Sequence, residues 1–305
     1  MPSITLSESA KLSQDKLIAG VIENIITVNR MFELLPFDGI EGNALAYNRE
    51  NVLGDVDVEG VGDSIGAKAP ATFTQVTSSL TTIIGDAEVN GLIQATRSDH
   101  NDQTAVQIAS KAKSAGRKYQ DMLINGTGAG NQFNGLINLC VSGQKVNTGD
   151  NGGPLSFTFM DEAQDLVTDK DGVVDYYTMH ARTIRSFKAL LRGLGGASIN
   201  EVLTLPSGTE VPMYNDIPVF RNDWIPTNQT KGGGSNQTTF FVGTWDDGSR
   251  SHGIAGLTAS RFAGIGVVDV GEAEEKDERI WRVKWYCGLA LFSEKGLACA
   301  DGITN

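Results

Sequence analysis

Histidine and cysteine are scarce in this chain, three of each among 305 residues, and their placement removes most metal and nucleophile chemistry. Cys140, Cys287 and Cys299 are far apart, with no Cys-x-x-Cys pair and no histidine at ligand spacing, which excludes a structural zinc. They read as buried, reduced thiols acting as small hydrophobes. Basic charge is also short, with 25 Lys+Arg against 37 Asp+Glu and a net charge of -12. A chain of this sign has no overall attraction to nucleic acid or anionic lipid, which argues against sequence-specific DNA binding. No run approaches the ~18 apolar residues of a membrane helix, and Met1-Pro2-Ser3-Ile4 lacks the basic start of a secretory signal. The reading is a soluble chain made in a cytoplasm, and the Asn-x-Thr sites at Asn125, Asn228 and Asn236 carry no weight without a signal.

What is present is glycine, 36 residues of it, in a 32.5 kDa chain with 20% charged residues. Glycine at this level supplies the positive-φ positions of turns and bulges, and the class is mixed α+β. Over residues 7–33, Leu12, Ile18, Val21, Ile22, Ile25, Val28 and Phe32 recur at helical spacing, and Pro36 stops the run. This arm packs either on the chain's own core or on a partner. Residues 44–50 and 71–89 read as two polar strands around a loop holding Gly54, Gly60, Gly62 and Gly66, a hairpin with too little apolar surface for its own core. Within the loop, Asp55-Val56-Asp57-Val58-Glu59 alternates acid with valine, so in an extended chain all the charge falls on one face. Such charge either blunts strand pairing or docks basic residues of another subunit.

Residues 99–123 are the clearest helix, about 35 Å long, with Ala105, Ile108, Ala109, Ala112, Ala115, Tyr119 and Met122 in one stripe and Asn101 or Asp102 as cap. The glycine-rich segment that follows succeeds a helix where a phosphate loop would open one, and no Lys-Ser/Thr pair follows. Its glycines read as a C-cap and turn. From about residue 145 to 270 short elements alternate: helices at 161–167 and 181–194, strands at 173–180, 201–205, 210–214, 217–221, 239–245 and 253–257, and a flexible loop at 231–235. The helix at 181–194 turns Ile184, Phe187, Leu190, Leu191 and Leu194 inward and Arg182, Arg185, Lys188 and Arg192 outward. Last comes a period of two over residues 281–291, with Trp281, Val283, Trp285, Cys287, Leu289 and Leu291 on one face. The Ser293-Glu294-Lys295-Gly296 turn then predicts residues 297–300 as its antiparallel partner.

Three segments invite chemistry. Gly62-Asp63-Ser64-Ile65-Gly66 matches a hydrolase nucleophile elbow, but Pro70 and a second strand follow where the elbow needs a helix, and nothing gathers His100, His180 or His252 around Ser64. Asp169-Lys170-Asp171-Gly172 with Asp175 lacks the last glutamate of a calcium loop. The acidic run 272–278 reads as a solvated hinge.

The order of these parts resembles the major capsid proteins of tailed bacteriophages, the fold named after phage Hong Kong ninety-seven, across almost the whole chain. The resemblance rests on the arm ending in Glu33-Leu34-Leu35-Pro36-Phe37, the extended loop at 47–75 and the spine helix at 99–123. It continues through Asn125-Gly126-Thr127-Gly128-Ala129-Gly130-Asn131-Gln132-Phe133-Asn134-Gly135-Leu136-Ile137, then Tyr177-Thr178-Met179-His180-Ala181-Arg182-Thr183-Ile184-Arg185-Ser186-Phe187 and the closing strands at 278–300. It implies an N-terminal arm at 1–36, an extended loop with flanking strands at 37–90, a peripheral domain with the spine helix at 91–140, an axial domain at 141–272 and peripheral C-terminal strands at 273–305. It further implies a non-enzymatic subunit without cofactor or metal. Such subunits form hexamers and pentamers that close an icosahedral virion shell in the bacterial host's cytoplasm, enclosing double-stranded DNA.

Partners expected from the resemblance are other copies of the chain, a portal protein and a decoration protein. About 35 residues precede Pro36, which predicts a separate scaffolding protein or a processed chain. Candidate contacts between subunits are Asp55, Asp57, Glu59, Asp63 and Lys68 in the loop, Leu12, Ile18 and Ile25 in the arm, and Arg182 and Arg185. Lys68 has no matching asparagine or glutamate for cross-linking. An encapsulin-like bacterial compartment is the alternative on the same fold, and a serine hydrolase using Ser64 is the alternative of another class.

Overall fold

The computed structural model describes residues 31, 34–62, 64, 66, 68–97, 102–169, 172–193, 202–205, 208 and 210–304. The expected arm helix with Leu12, Ile18 and Ile25 lies outside these, as do Asp63, His100 and Leu194. Met31, which is described, is fully buried.

Four strands come first: β1 (Phe37–Ile40), β2 (Ala44–Val52), β3 (Thr72–Ser79) and β4 (Thr81–Asn90). Helices α1 (Gly91–Arg97), α2 (Gln103–Asn125) and α3 (Leu136–Leu139) follow, then β5 (Gly153–Pro154), α4 (Phe157–Thr168), β6 (Tyr176–Met179) and α5 (Ala181–Gly193). Eight of the remaining strands are β7 (Val202–Thr204), β8 (Glu210–Tyr214), β9 (Ile217–Arg221), β10 (Gln229–Lys231), β11 (Gly234–Gly243), β12 (Ile254–Ala259), β13 (Gly266–Glu272) and β14 (Glu278–Leu291), and β15 (Leu297–Thr304) closes the chain.

These strands form three sheets. In the first, β1, β12, β14 and β13 lie in that order and β4 also pairs with β14. In the second, the order is β5, β15, β11, β6, β9, β8, β7, with β10 on β11. The third is the β2–β3 hairpin alone. The alternation over residues 281–291 is thus the axis of the first sheet, laddered to β4 from Glu278 opposite Asn90 to Cys287 opposite Thr81. Its apolar face meets α2: Tyr119 stacks against Trp285 with ring centroids 4.6 Å apart and donates its hydroxyl to the Gly288 carbonyl at 3.2 Å.

Helix α2 starts where a side chain can satisfy its first amides. Asp102 accepts from the Thr104 and Ala105 N–H groups at 2.9 and 3.3 Å, and Gln94 donates to the same carboxylate. Its buried residues are Gln103, Ala115, Tyr119, Met122, Leu123 and Ile124, so the expected alanine stripe is covered only in the second half; Ala105 and Ala109 are exposed. Gly126 ends it, donating to the Met122 carbonyl at 2.9 Å, and a Cβ there would strike the Met122 and Phe133 carbonyl oxygens. Gly135 donates back to the Gly126 carbonyl, closing the glycine segment on itself as a turn.

Several boundaries differ from those the sequence predicts. The segment 71–89 is two strands, because Leu80 donates its N–H to the Asn43 carbonyl and packs beside Ile40 and Leu257, turning the chain from the hairpin into the first sheet. The expected pairing of β14 with β15 does not form. β12 and β4 already occupy the edges of β14, and the 3-10 turn Glu294–Gly296 carries the chain to the second sheet, where β15 ladders with β11. The segment 231–235 is a tight hairpin turn between β10 and β11: Gly232 has φ +56 against the Asp150 carbonyl, and Gly233 donates to Asn151 Oδ1 at 2.8 Å. The acidic run 272–278 is the β13–β14 hairpin turn, and α4 begins at Phe157 because Ser156 caps the Phe159 N–H. The sheets also cut across the expected boundaries at 141, 272 and 273, since β12 and β13 belong with β14, and β15 with β11.

Candidate assembly surfaces

The β2–β3 hairpin stands off the body, in register from Ala44 opposite Ser79 to Val52 opposite Thr72, with an irregularity after Glu50. Its root is held by two side chains whose alternation points them back at the first sheet. Tyr47 donates its hydroxyl to the Leu291 carbonyl at 2.7 Å. Arg49 donates to the carbonyls of Phe292 and Leu291 at 2.9 and 2.5 Å and to Glu294 Oε1 at 2.6 Å. These carbonyls are free for Arg49 because β14 is just leaving its sheet. Phe292 packs edge-on to the Tyr47 ring, 5.2 Å between centroids. A polar cavity of about 360 Å³ separates this root from the glycine turn, lined by Arg49, Ser78, Gln132, Asn134, Asn138 and Glu294.

Arg49→Ala is expected to keep the subunit folded and loosen the hairpin. Charge-assisted hydrogen bonds contribute about 1.5–3 kcal/mol each, so amide exchange over 44–52 and 72–79 should accelerate about tenfold or more. Unchanged exchange there would show that the root is held by packing alone.

Beyond the hairpin, residues 53–60 and 68–71 have no ladder, and every residue from Leu53 to Gly60 is exposed. Lys68 gathers the charge: its Nζ donates to Asp57 Oδ2 at 2.8 Å and to Glu59 Oε1 at 3.1 Å, while Asp55 Oδ2 accepts from the Ala69 N–H at 3.3 Å. Lys68 thus holds Asp57 and Glu59 within the loop and Asp55 holds the Ala69 amide, while Asp55, Asp57 and Glu59 stay exposed. What the loop also offers outward is apolar, with Leu53 74% exposed, Val56 92% exposed, and Val58 and Val61 fully exposed. Burying none of this within the chain leaves an unusual cost in water.

A second exposed apolar run follows β13 at the outer edge of the first sheet, through Ile265, Val267, Val268 and Val270. A bulge between Asp269 and Gly271 and the Arg279–Asp269 ion pair interrupt this edge. On the inner side of the same sheet Arg282 grips Asp86 through two bonds of 2.7 Å, and this hydrogen bonding holds the Asp86 carboxyl below the usual carboxylate range. The folded chain thus binds a proton at Asp86 more weakly than the unfolded chain. The contribution is present above the ordinary aspartate value of 3.8 and is lost as pH falls through the lower folded value. Asp86→Asn is expected to lower the urea midpoint at pH 7 and to converge with the parent below that value. A gap that persists undiminished in acid would assign it to packing.

Arg182 and Arg185, expected outward together on α5, separate. Arg182 is half-buried, its guanidinium donating to the carbonyls of Asn236 and Thr227, so it fastens α5 to the second sheet. Arg185 is exposed. Ser64 is exposed in the loop with neither strand before it nor helix after it among the described residues. His252 bonds its own neighbour Ser251 at 2.8 Å, and His180 lies 3.9 Å from Asp223, so neither described histidine serves Ser64.

A standing hairpin, a long helix across one sheet and a second sheet on α4 and α5 together match solved shells over their full length. The holo-SrpI encapsulin complex from Synechococcus elongatus PCC 7942 is similar at TM-score 0.72 and 16% identity, covering 99% of this chain and 96% of that one. The cyanophage A-1(L) capsid is similar at TM-score 0.72 and 12% identity, covering 99% and 100%. The structure from Mycobacterium phage Bobi reaches TM-score 0.64 at 12% identity, covering 98% and 99%. This chain has the phage major capsid fold. No family model matches the chain, and no curated protein matches it. In capsid-fold terms, β2–β3 with residues 53–71 is the extended loop and α2 is the spine helix. The Arg49 latch and the exposed valines are features that sequence reasoning missed. The valines were visible as the partners of Asp55, Asp57 and Glu59, but alternation was read for its charge alone.

Proposed function

We propose that this protein is the structural major capsid subunit of a tailed phage, self-assembling into pentamers and hexamers that close an icosahedral shell around double-stranded DNA. The observation that carries this reading is the extended loop: a polar hairpin latched at its root, ending in valines that no described residue covers. Such a tip gains its burial on a neighbouring copy, and many such contacts add along a closed surface. The five-stranded sheet with α2 forms the peripheral domain, and the eight-stranded sheet with α4 and α5 forms the axial domain around the symmetry axes. A net charge of -12 suits a wall that faces packed DNA without adhering to it. The subunit has no catalytic role in this reading; a separate scaffolding protein, a portal and a decoration protein act as its partners during assembly in the host cytoplasm.

Electron microscopy of the sedimenting fraction, after expression alone and with a candidate scaffold, tests this directly. Closed polyhedral shells of this one polypeptide are expected; monomers under both conditions would overturn the proposal. One observation favours a second reading, an encapsulin-like compartment, because the encapsulin and the cyanophage capsid are equally similar at TM-score 0.72. Nuclease-protected DNA inside the purified particles supports the capsid, and a co-purifying cargo protein without DNA supports the compartment.

A further inference from the structure

Cys140 and Cys299 stand 159 positions apart in sequence, yet their Sγ atoms lie 2.7 Å from each other. That is closer than two sulfurs in ordinary nonbonded contact and within reach of a bond of about 2.05 Å. Both residues are buried: Cys140 follows α3 directly, and Cys299 sits in β15, where its carbonyl accepts from the Val146 N–H at 2.9 Å. The chain a few residues after Cys140 is therefore pinned beside Cys299, where Lys145 also bridges to it, and the sulfurs already touch. Cys299 also lines a cavity of about 290 Å³ with Lys145, Lys231, Gln237, Phe241 and Asp301, which brings a small polar molecule beside this residue.

We infer that Cys140 and Cys299 are a modification site, closing an intrachain disulfide when the protein meets a small peroxide outside a reducing cytoplasm. The Cys299 thiolate attacks one peroxide oxygen, the O–O bond breaks, and the departing hydroxide takes up the thiol's proton as water, leaving a sulfenic acid. The Cys140 sulfur then attacks the Cys299 sulfur, the S–O bond breaks, and the oxygen leaves as a second water with the Cys140 proton. Two thiols lose two electrons and one peroxide is reduced to two waters. The neighbouring Cys140 and burial hold the Cys299 thiol well above its usual range, so the reaction is slow. Cys287 is buried against α2 in the other sheet, its thiol pushed up to about 12 by burial, and stays outside the exchange. The bond would tie the connection leaving the spine helix to β15 within one hydrophobic core. This inference does not depend on the shell reading, since both sulfurs belong to one chain.

The test uses the full chain, incubated with hydrogen peroxide, quenched, then alkylated in denaturant and measured by mass spectrometry. One alkylatable thiol of the three is expected, with the Cys140 and Cys299 peptides recovered as a linked pair that a dithiol reductant separates. Cys287→Ala should lose all alkylatable thiol under the same treatment, and the unfolding temperature of the oxidised parent should rise. Three thiols remaining, a bridge involving Cys287 or a second chain, or oxidation of Cys299 to the sulfinic acid with Cys140 free would each overturn the inference.

Discussion

Val56, Val58 and Val61 changed together to serine are expected to leave the subunit folded and to abolish shell closure. All three are almost wholly exposed, so the isolated chain loses no packing, and its unfolding free energy from urea titration should stay within about 0.5 kcal/mol of the parent. In an assembled shell the same residues are the apolar content of the loop tip. Burying a valine contributes about 1.5 kcal/mol, so three contribute about 4–5 kcal/mol per loop. That is about a thousandfold in the strength of each contact, repeated at every subunit. Sedimentation should therefore find monomers or small rings where the parent gives particles. Changing Asp57 and Lys68 to alanine is the contrasting control, since exposed ion pairs contribute about 0–1 kcal/mol and particles should survive. Normal particles from the triple serine variant would remove the role assigned to the tip.

Tyr119→Ala is expected to cost the subunit itself about 3–5 kcal/mol, the range for deleting a large buried ring. Tyr119 is 1% exposed, and its ring lies 4.6 Å from Trp285, 5.5 Å from Phe133 and 5.9 Å from Phe37. It is the point where the spine helix, the first sheet, β1 and the glycine turn meet, so the cavity left behind has no neighbour able to collapse into it. Against a typical domain stability of about 5–15 kcal/mol this is enough to lose soluble protein at 37 °C. Tyr119→Phe separates the two contributions, since it keeps the ring and removes only the hydroxyl bond to Gly288, at a cost of about 1 kcal/mol. Equal losses from the two variants would place the energy in the hydroxyl.

The elements legible in advance were those whose pattern is local. The polar hairpin was visible as two polar runs around glycines, the second rich in threonine, the spine helix as a stripe ended by Gly126, and β14 as unbroken alternation. Even there the pattern named a face without naming its cover: Ala105 and Ala109 share the stripe with Tyr119 yet are exposed, because apart from Gln103 the buried residues of α2 lie in its later turns. Charge likewise named a pattern without its partner. Asp55, Asp57 and Glu59 suggested a docking face, and Lys68, nine and more positions later, folded back to meet two of them.

By itself, the sequence determined the class of elements and their order, since period, capping residues and turn glycines act over a few neighbouring positions. Only the tertiary structure decided which strand lies beside which. β15 crosses to β11 because the edges of β14 are filled, Arg49 reaches carbonyls 242 and 243 positions away, and Cys140 meets Cys299 across 159. Side-chain periodicity records which face of an element is apolar, whereas the choice of partner depends on the packing of every other element against it, and that information is spread over the whole chain.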